Sequence, residues 1–230
     1  MNSNIKLLFA AATGLFLSAC ASTPELNRDL VHQEKIKTIN LDKMEQNINI
    51  QVADSKTTGA ILGGLPGLLV SGAVDGSVNS KRKKALEPFH DVLNDINVNM
   101  VLKNALEHSM LDSKAFSEDV VINTEYDKEL KTPYLIPILT PNVIMLGDYS
   151  GVAVFIIAST AQESTKKKQN KYKSVYQSEQ LMDESLLAKR EENKQYWKDN
   201  PLVLKEKIVD GIYDAAKQFA DDFNAEQAEK

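Results

Sequence analysis

The apolar run GVAVFIIAST, residues 151–160, constrains the fold more than any other stretch of the chain. Its nearly continuous hydrophobicity is typical of a strand at a central position in a sheet. The segment YKSVYQSEQL, residues 172–181, alternates apolar and polar residues as a half-buried strand does. A polar loop with Lys166, Lys167 and Lys168 separates the two segments, so they predict an antiparallel hairpin with a long charged tip.

Five further segments have strand patterns. The residues of 47–54 form either a separate strand or a prolongation of the segment 35–42 beyond a bulge. Pro137 and Pro141 indicate an edge or a break, because proline cannot donate a hydrogen bond to a neighbouring strand. The five segments are KIKTINLD (35–42), NINIQVAD (47–54), DVVINT (119–124), YLIPIL (134–139) and NVIMLG (142–147).

Two amphipathic helices are predicted from apolar residues at three- and four-residue steps. The first enters near Pro88, and its stripe is Leu86, Phe89, Leu93, Ile96, Met100, Leu102, Ala105, Leu106 and Met110. The second begins near Pro201, and its stripe is Leu204, Ile208, Ile212, Ala215, Ala216, Phe219 and Phe223. A charged helical piece over 184–200 precedes it. Acidic residues crowd the end of the last helix, where the helix dipole disfavours them, so we expect fraying there.

The order strand, helix, several strands, helix predicts an α+β (or α/β) fold. We expect a small mixed, mostly antiparallel sheet packed by two amphipathic helices within a single domain, residues 35–223. Residues 224–230 are predicted to be a frayed C-terminal tail.

A glycine-rich insertion, residues 57–78, has no counterpart elsewhere in the chain, and it is uncharged as far as Val74. Two interpretations stay open: a shallow hairpin in a membrane, packed through GxxxG spacing, or a flexible loop that covers the sheet. A basic cluster that follows would meet anionic headgroups in the first case. The predicted membrane-contact residues are Gly59, Gly63, Gly64, Gly67, Gly72, Gly76, Lys81, Arg82, Lys83 and Lys84.

The only cysteine, Cys20, follows a short segment with one lysine and an apolar run of about a dozen residues. This is the pattern of a secretory signal, because the run stops short of the roughly 20 residues that cross a bilayer. An ordinary secreted protein is the alternative. The residues Leu17, Ser18, Ala19 and Cys20 resemble the lipobox of bacterial lipoproteins.

The lipobox resemblance implies cleavage between Ala19 and Cys20 and acylation of Cys20. It therefore implies a signal peptide over 1–19 and a lipidated tether over 20–34. Ala21 stands where an aspartate commonly signals retention in the inner membrane, so the resemblance favours an outer-membrane anchor with the body in the periplasm. Since no cysteine follows Cys20, the domain must hold without disulfides.

The order of elements over 35–223 resembles periplasmic lipoproteins, including the activators of penicillin-binding proteins and the curli-secretion-channel lipoprotein. The glycine-rich insertion resembles that of lipoproteins with a glycine zipper between the first strand and the first long helix. The lipobox, the compact body and the lack of a recognisable catalytic set together predict a non-enzymatic interaction or assembly factor that binds an envelope protein. The alternative is an oligomeric lipoprotein that inserts the glycine-rich segment into the membrane.

Patterns of catalysis are scarce in the chain. His90 and His108 stand five helical turns apart on one predicted helix, too far apart to share a metal. The acidic residues Glu87, Asp91 and Asp95 are interpreted as a solvated helix face. We predict no catalytic residue, cofactor or metal, and the net charge of −5 argues against nucleic acid as a partner.

The only tryptophan, Trp197, lies beside Tyr196 in a charged segment. We interpret it as a residue that caps the core before the last helix. The other interpretation is an exposed anchor for a partner.

Overall fold

A computed structural model describes residues 28–42, 51–52, 87–126, 137–162 and 170–226. Its helices are α1 (Arg28–Glu34), α2 (His90–Asn94), α3 (Val98–Ser109), α4 (Arg190–Asp199) and α5 (Pro201–Asn224). Its strands are β1 (Ile36–Asp42), β2 (Gln51–Val52), β3 (Phe116–Tyr126), β4 (Ile138–Met145), β5 (Gly151–Gln162) and β6 (Asn170–Leu181). Short 3-10 turns cover Glu87–Phe89 and Glu184–Leu186.

The strands form one mixed sheet in the order β3-β1-β4-β5-β6, and β2 pairs with β4. The long pairings, β4 with β5 and β5 with β6, are antiparallel. The pairings of β1 with β3 and β4, and of β2 with β4, are parallel. The predicted α+β class, the central position of the run 151–160 and its hairpin with 172–181 are confirmed, and β6 starts two residues earlier than predicted. The predicted charged tip, 163–169, lies outside the described residues.

The segment predicted as two strands around Pro137 and Pro141 is a single strand, β4, so the prediction of a break at Pro141 is wrong. Pro141 pairs in register with Ile156 of β5. On the other edge of β4, β1 pairs at 138–139 and β2 at 144–145. Pro141 thus lies between the stretches that those two strands occupy, where its missing N–H removes no described ladder bond.

The strands β1 and β2 lie one after the other along the same edge of β4, and both run parallel to it. This arrangement agrees with the alternative in which the segment 47–54 prolongs the segment 35–42. Only Gln51 and Val52 of that predicted strand are described.

The first predicted helix is divided in two, so its prediction as one continuous helix over 86–110 is wrong. The amide N–H of Met100 donates to Asn97 Oδ1, and this side-chain cap starts α3 as a new helix. Met100, which the single stripe placed in the core, is 44% exposed as a result. The stripe members between 89 and 110 are otherwise buried, and Leu86 lies outside the described residues.

The main core lies between α5 and one face of the sheet. Every predicted residue of the last stripe is fully buried, which confirms that helix. At its far end Phe219 and Phe223 pack against Phe116 of β3, with ring centroids 5.8 and 5.9 Å from it. Tyr176 of β6 meets Phe219 edge to face at 5.6 Å. These aromatic contacts join α5 to β3 and β6, the strands at the two edges of the sheet.

The central strand β5 contributes to both faces of the sheet. Val152, Val154 and Ile156 belong to the main core, whereas Ala153 and Phe155 point to the opposite face. There they join a smaller buried cluster with Ile144 and Leu146. This division explains why the run 151–160 is apolar at nearly every position.

We expect Gly211→Ala to destabilise the domain, although alanine favours a helix by about 1 kcal/mol over glycine. A Cβ at Gly211 would lie 2.6 Å from Val154 Cγ2, so the substitution overpacks the core and should cost about 1–3 kcal/mol in net unfolding free energy. Urea unfolding measures the change.

Asp210→Ala, one residue away on the exposed side of α5, is the control and should change stability by less than about 0.5 kcal/mol. In a Val154→Ala background, Gly211→Ala should lower the unfolding free energy by less than it does in the wild type. The reason is that Val154→Ala removes Cγ2, the atom that the new Cβ would approach. Equal costs in both backgrounds would contradict the proposed close approach.

Candidate functional site

The residues predicted to carry function from the sequence lie outside the described part of the chain. They are Ala19 and Cys20 of the lipobox, the glycines of 57–78 and the basic cluster 81–84. Their roles stay predictions. The described residues instead present two contact sites, one at each end of α5.

The first, which we call the attachment contact, joins α1 to the C-terminal end of α5. Arg28 Nε donates to the carbonyl of Asp222 at 3.1 Å, and its guanidinium forms an ion pair with the Asp222 carboxylate. The same carboxylate accepts a hydrogen bond of 2.6 Å from the Tyr176 hydroxyl. His32 Nε2 lies 3.1 Å from the Phe223 carbonyl, and Val31 is fully buried.

The attachment contact corrects the predicted tether, 20–34, because residues 28–34 are a docked helix of the domain. Lys35, at φ 52°, ends α1, and the Ile36 amide donates to the Ala115 carbonyl at 2.8 Å. The chain therefore passes from α1 into β1 without a linker.

The acidic end of α5 stays helical through Asn224, although fraying was expected near Asp221 and Asp222. Arg28 places a cation beside Asp222, and Lys217 Nζ lies 2.6 Å from Asp221 Oδ2. These cations offset the unfavourable carboxylates at a helix C-terminus. The predicted tail beyond residue 226 lies outside the described residues.

The second contact, which we call the turn clamp, lies at the other end of α5 and holds the turn 147–150 between β4 and β5. Tyr149 has φ 57°, an uncommon conformation for a bulky residue. Its amide donates to the Leu146 carbonyl at 2.9 Å, and the Leu146 amide donates to Gly151 at 3.0 Å.

One face of α4 donates to three consecutive carbonyls of this turn. Arg190 Nε binds Gly147 O at 2.9 Å, Asn193 Nδ2 binds Asp148 O at 3.0 Å and Trp197 Nε1 binds Tyr149 O at 2.7 Å. Residues at these spacings share a helix face. Trp197 is fully buried, so its interpretation as a core cap is confirmed and the exposed-anchor alternative is wrong.

The Tyr149 side chain is enclosed by the clamp. The Arg190 guanidinium carbon lies 5.0 Å and Lys194 Nζ 5.7 Å from its ring centroid, within cation–π range. No described residue forms a hydrogen bond with its buried hydroxyl. Burial raises the pKa of the Tyr149 phenol, so the hydroxyl stays protonated at neutral pH.

The neighbouring carboxylate, Asp148, is exposed and stabilises the turn from outside. Burial alone would raise the pKa of Asp148, but hydrogen bonds from the Ser150 hydroxyl and amide outweigh it and leave the pKa below its ordinary value. The hydroxyl bond is 2.7 Å long and the amide bond 3.0 Å. Asp148 therefore supports the turn as a charged acceptor at neutral pH.

A polar row lies on the sheet face opposite the main core. Asn123 Nδ2 donates to Asn40 Oδ1 at 2.7 Å, and Thr140 Oγ1 donates to Asp42 Oδ2 at 3.0 Å. Asn40 and Asp42 are buried. The row links β3, β1 and β4 by side chains as well as by the backbone.

The histidines and helix carboxylates are placed as follows. Glu87, Asp91 and Asp95 are exposed, as the solvated-face interpretation predicted. His108 is exposed in the last turn of α3, and His32 belongs to the attachment contact. Among the described residues, no group of three or more His, Cys, Asp or Glu side chains is placed to hold a metal ion.

The sequence did not predict roles for Arg28, Asn193 and Tyr149. Arg28 lies in a short polar segment that the composition assigned to the tether, and its partner is 194 residues away. The signal available for Asn193 was its spacing of three and four residues from Arg190 and Trp197. No local pattern marks a left-handed tyrosine.

Within the described part of the chain, no helix is both long and apolar enough to cross a membrane. Comparisons with protein-family models, curated proteins and solved structures found no match to this chain.

We expect the same substitution, Tyr→Phe, to have opposite effects at the two contacts. Tyr149→Phe removes a buried hydroxyl that has no partner in the described part of the chain, and it should raise the unfolding free energy by about 1 kcal/mol. Tyr176→Phe removes a hydrogen bond to the Asp222 carboxylate and should lower it by about 1.5–3 kcal/mol. Chemical unfolding of both variants measures the two signs; a loss of stability in Tyr149→Phe would show that its hydroxyl has a partner.

Proposed function

We propose that this chain is an outer-membrane lipoprotein whose periplasmic domain is a non-enzymatic interaction or assembly factor of the cell envelope. One observation carries the proposal: the apolar segment ends in Leu17, Ser18, Ala19 and Cys20, and the first described helix starts eight residues later at Arg28. A lipid on Cys20 would attach close to a helix of the domain.

The energetics of acyl chains support permanent attachment. Each buried methylene contributes about 0.8 kcal/mol, so a single chain holds a protein only marginally, whereas two or three hold it stably. The diacylglycerol and amide-linked acyl chains of lipoproteins supply that number. The acyl chains then hold the domain at a membrane surface.

The interaction role draws support from α4. The face of α4 that takes part in the turn clamp is bound to the turn 147–150. The other faces of α4 carry four exposed charged residues, Glu191, Glu192, Lys198 and Asp199. Fixed charges of both signs on a rigid helix favour specific and rapid binding of a protein with complementary charges.

Replacing the lipidated residue tests the location. Cys20→Ser should leave the protein unacylated, so that mass spectrometry finds no lipid on the N-terminal peptide and fractionation finds the protein outside the outer-membrane fraction. Ala21→Asp is the matched control, because it should keep the acyl chains and move the protein to the inner membrane. An unmodified Cys20 in the wild-type protein would contradict the proposal.

Photo-crosslinking in intact cells tests the interaction role. A crosslinking residue at the exposed Glu192 of α4 should trap one discrete envelope protein, and the same residue at Asp210 of α5 serves as a control for random encounters. Charge reversal at Glu191 and Lys198 should abolish the adduct. Equal adducts from both positions would contradict a specific partner at α4.

A further inference from the structure

We propose that α1 sets how the domain stands on the membrane: the attachment contact faces the lipid surface and the turn clamp faces away from it. This inference rests on the proposed lipid at Cys20. It adds the surface of the domain that the bilayer meets and the surface that stays available to a protein partner.

The distance between the lipid and the domain has an upper limit. Cys20 and Arg28 are separated by eight residue steps, and an extended chain spans at most about 3.5 Å per residue. Arg28 therefore stays within about 28 Å of the modified cysteine, whatever path the chain takes.

Arg28 is fixed to the body of the domain. Its guanidinium meets Asp222 through both the carboxylate and the carbonyl, and its side chain is only 18% exposed. Val31 is buried in the main core, and α1 continues into β1 at Ile36. The lipid would thus be connected to the domain through a helix that is packed against its core.

The turn clamp lies at the opposite end of α5. Leu202 and Asp222 are 20 residues apart on this helix, which corresponds to about 30 Å at 1.5 Å per residue. The attachment contact is held within about 28 Å of the lipid, whereas the turn clamp can lie about 30 Å farther out. On average, the turn clamp is therefore farther from the membrane than the attachment contact.

The end near the lipid carries charges that keep it outside the hydrocarbon. Lys114 and Glu226 are exposed there and lie 3.4 Å apart, and Lys217 pairs with Asp221 on the surface of α5. Burial of such groups in the bilayer is costly, so the attachment end rests against the headgroups rather than inside the membrane. The exposed charges of α4 are presented to the periplasm.

Labels along α5 test the orientation in the acylated full-length protein, reconstituted in phosphatidylethanolamine–phosphatidylglycerol vesicles. Acylation blocks Cys20, the only cysteine, so each introduced cysteine carries a unique fluorophore. Four exposed positions serve: Leu202, Glu206, Asp210 and Lys217. They cover about 22 Å of helix.

We expect energy transfer to an acceptor on the lipid headgroups to fall steadily from Lys217→Cys to Leu202→Cys, by about threefold or more over that distance. A flat or reversed profile would overturn the proposed orientation.

A longer tether provides the second test and leaves the fold untouched. Insertion of 20 Gly/Ser residues before Arg28 adds a segment with a root-mean-square length of about 25 Å, so the difference between the labels should shrink by half or more. Insertion of the same segment after Asn224, on the other side of the attachment contact, is the control and should leave the profile unchanged. An unchanged profile with the long tether would also overturn the orientation.

The failure of this inference is distinguishable from the failure of the proposed function. Protein that is acylated at Cys20 and sediments with the vesicles but gives a flat profile contradicts only the orientation. Protein without acyl chains on its N-terminal peptide contradicts the lipoprotein proposal itself.

Discussion

The packing of α5 across β5 and β6 organises the domain. The helix buries a complete apolar stripe against the sheet, and Gly211 allows its backbone to approach Val154 closely. Hydrogen bonds at the rim fix its register, since Ser178 and Gln180 of β6 both donate to Asp214. Because α5 is 24 residues long, it also sets the distance between the two contacts at its ends.

The two contacts at the ends of α5 stabilise different groups. At the attachment contact, a charged helix end is neutralised by Arg28 from a segment almost 200 residues earlier in the chain. At the turn clamp, α4 supplies neutral and charged donors to the backbone carbonyls of the turn 147–150. Tyr149 of that turn has a left-handed backbone conformation. One contact gives the proposed lipid a firm point of attachment, and the other fixes an exposed charged helix.

Local patterns predicted the elements well wherever one pattern continued without interruption. The run 151–160 is apolar almost throughout, and the stripe from Leu204 to Phe223 keeps one helical period; both are found as predicted. The prediction was wrong where a polar side chain changed the pattern locally. Asn97 captures the Met100 amide and divides a helix, while Pro141 continues a strand because its position needs no donor.

The apolar periods of strands and helices, the signal-like segment that ends at Cys20 and the absence of disulfides from the body follow directly from the amino-acid sequence. The packing of distant segments was needed to show that residues 28–34 belong to the domain and that Trp197 is enclosed by a turn 48 residues earlier. The physical reason is the separation along the chain of the residues that interact. Hydrophobic periodicity is a property of neighbouring residues, whereas an ion pair or a capped carbonyl depends on where the folded backbone brings distant groups together.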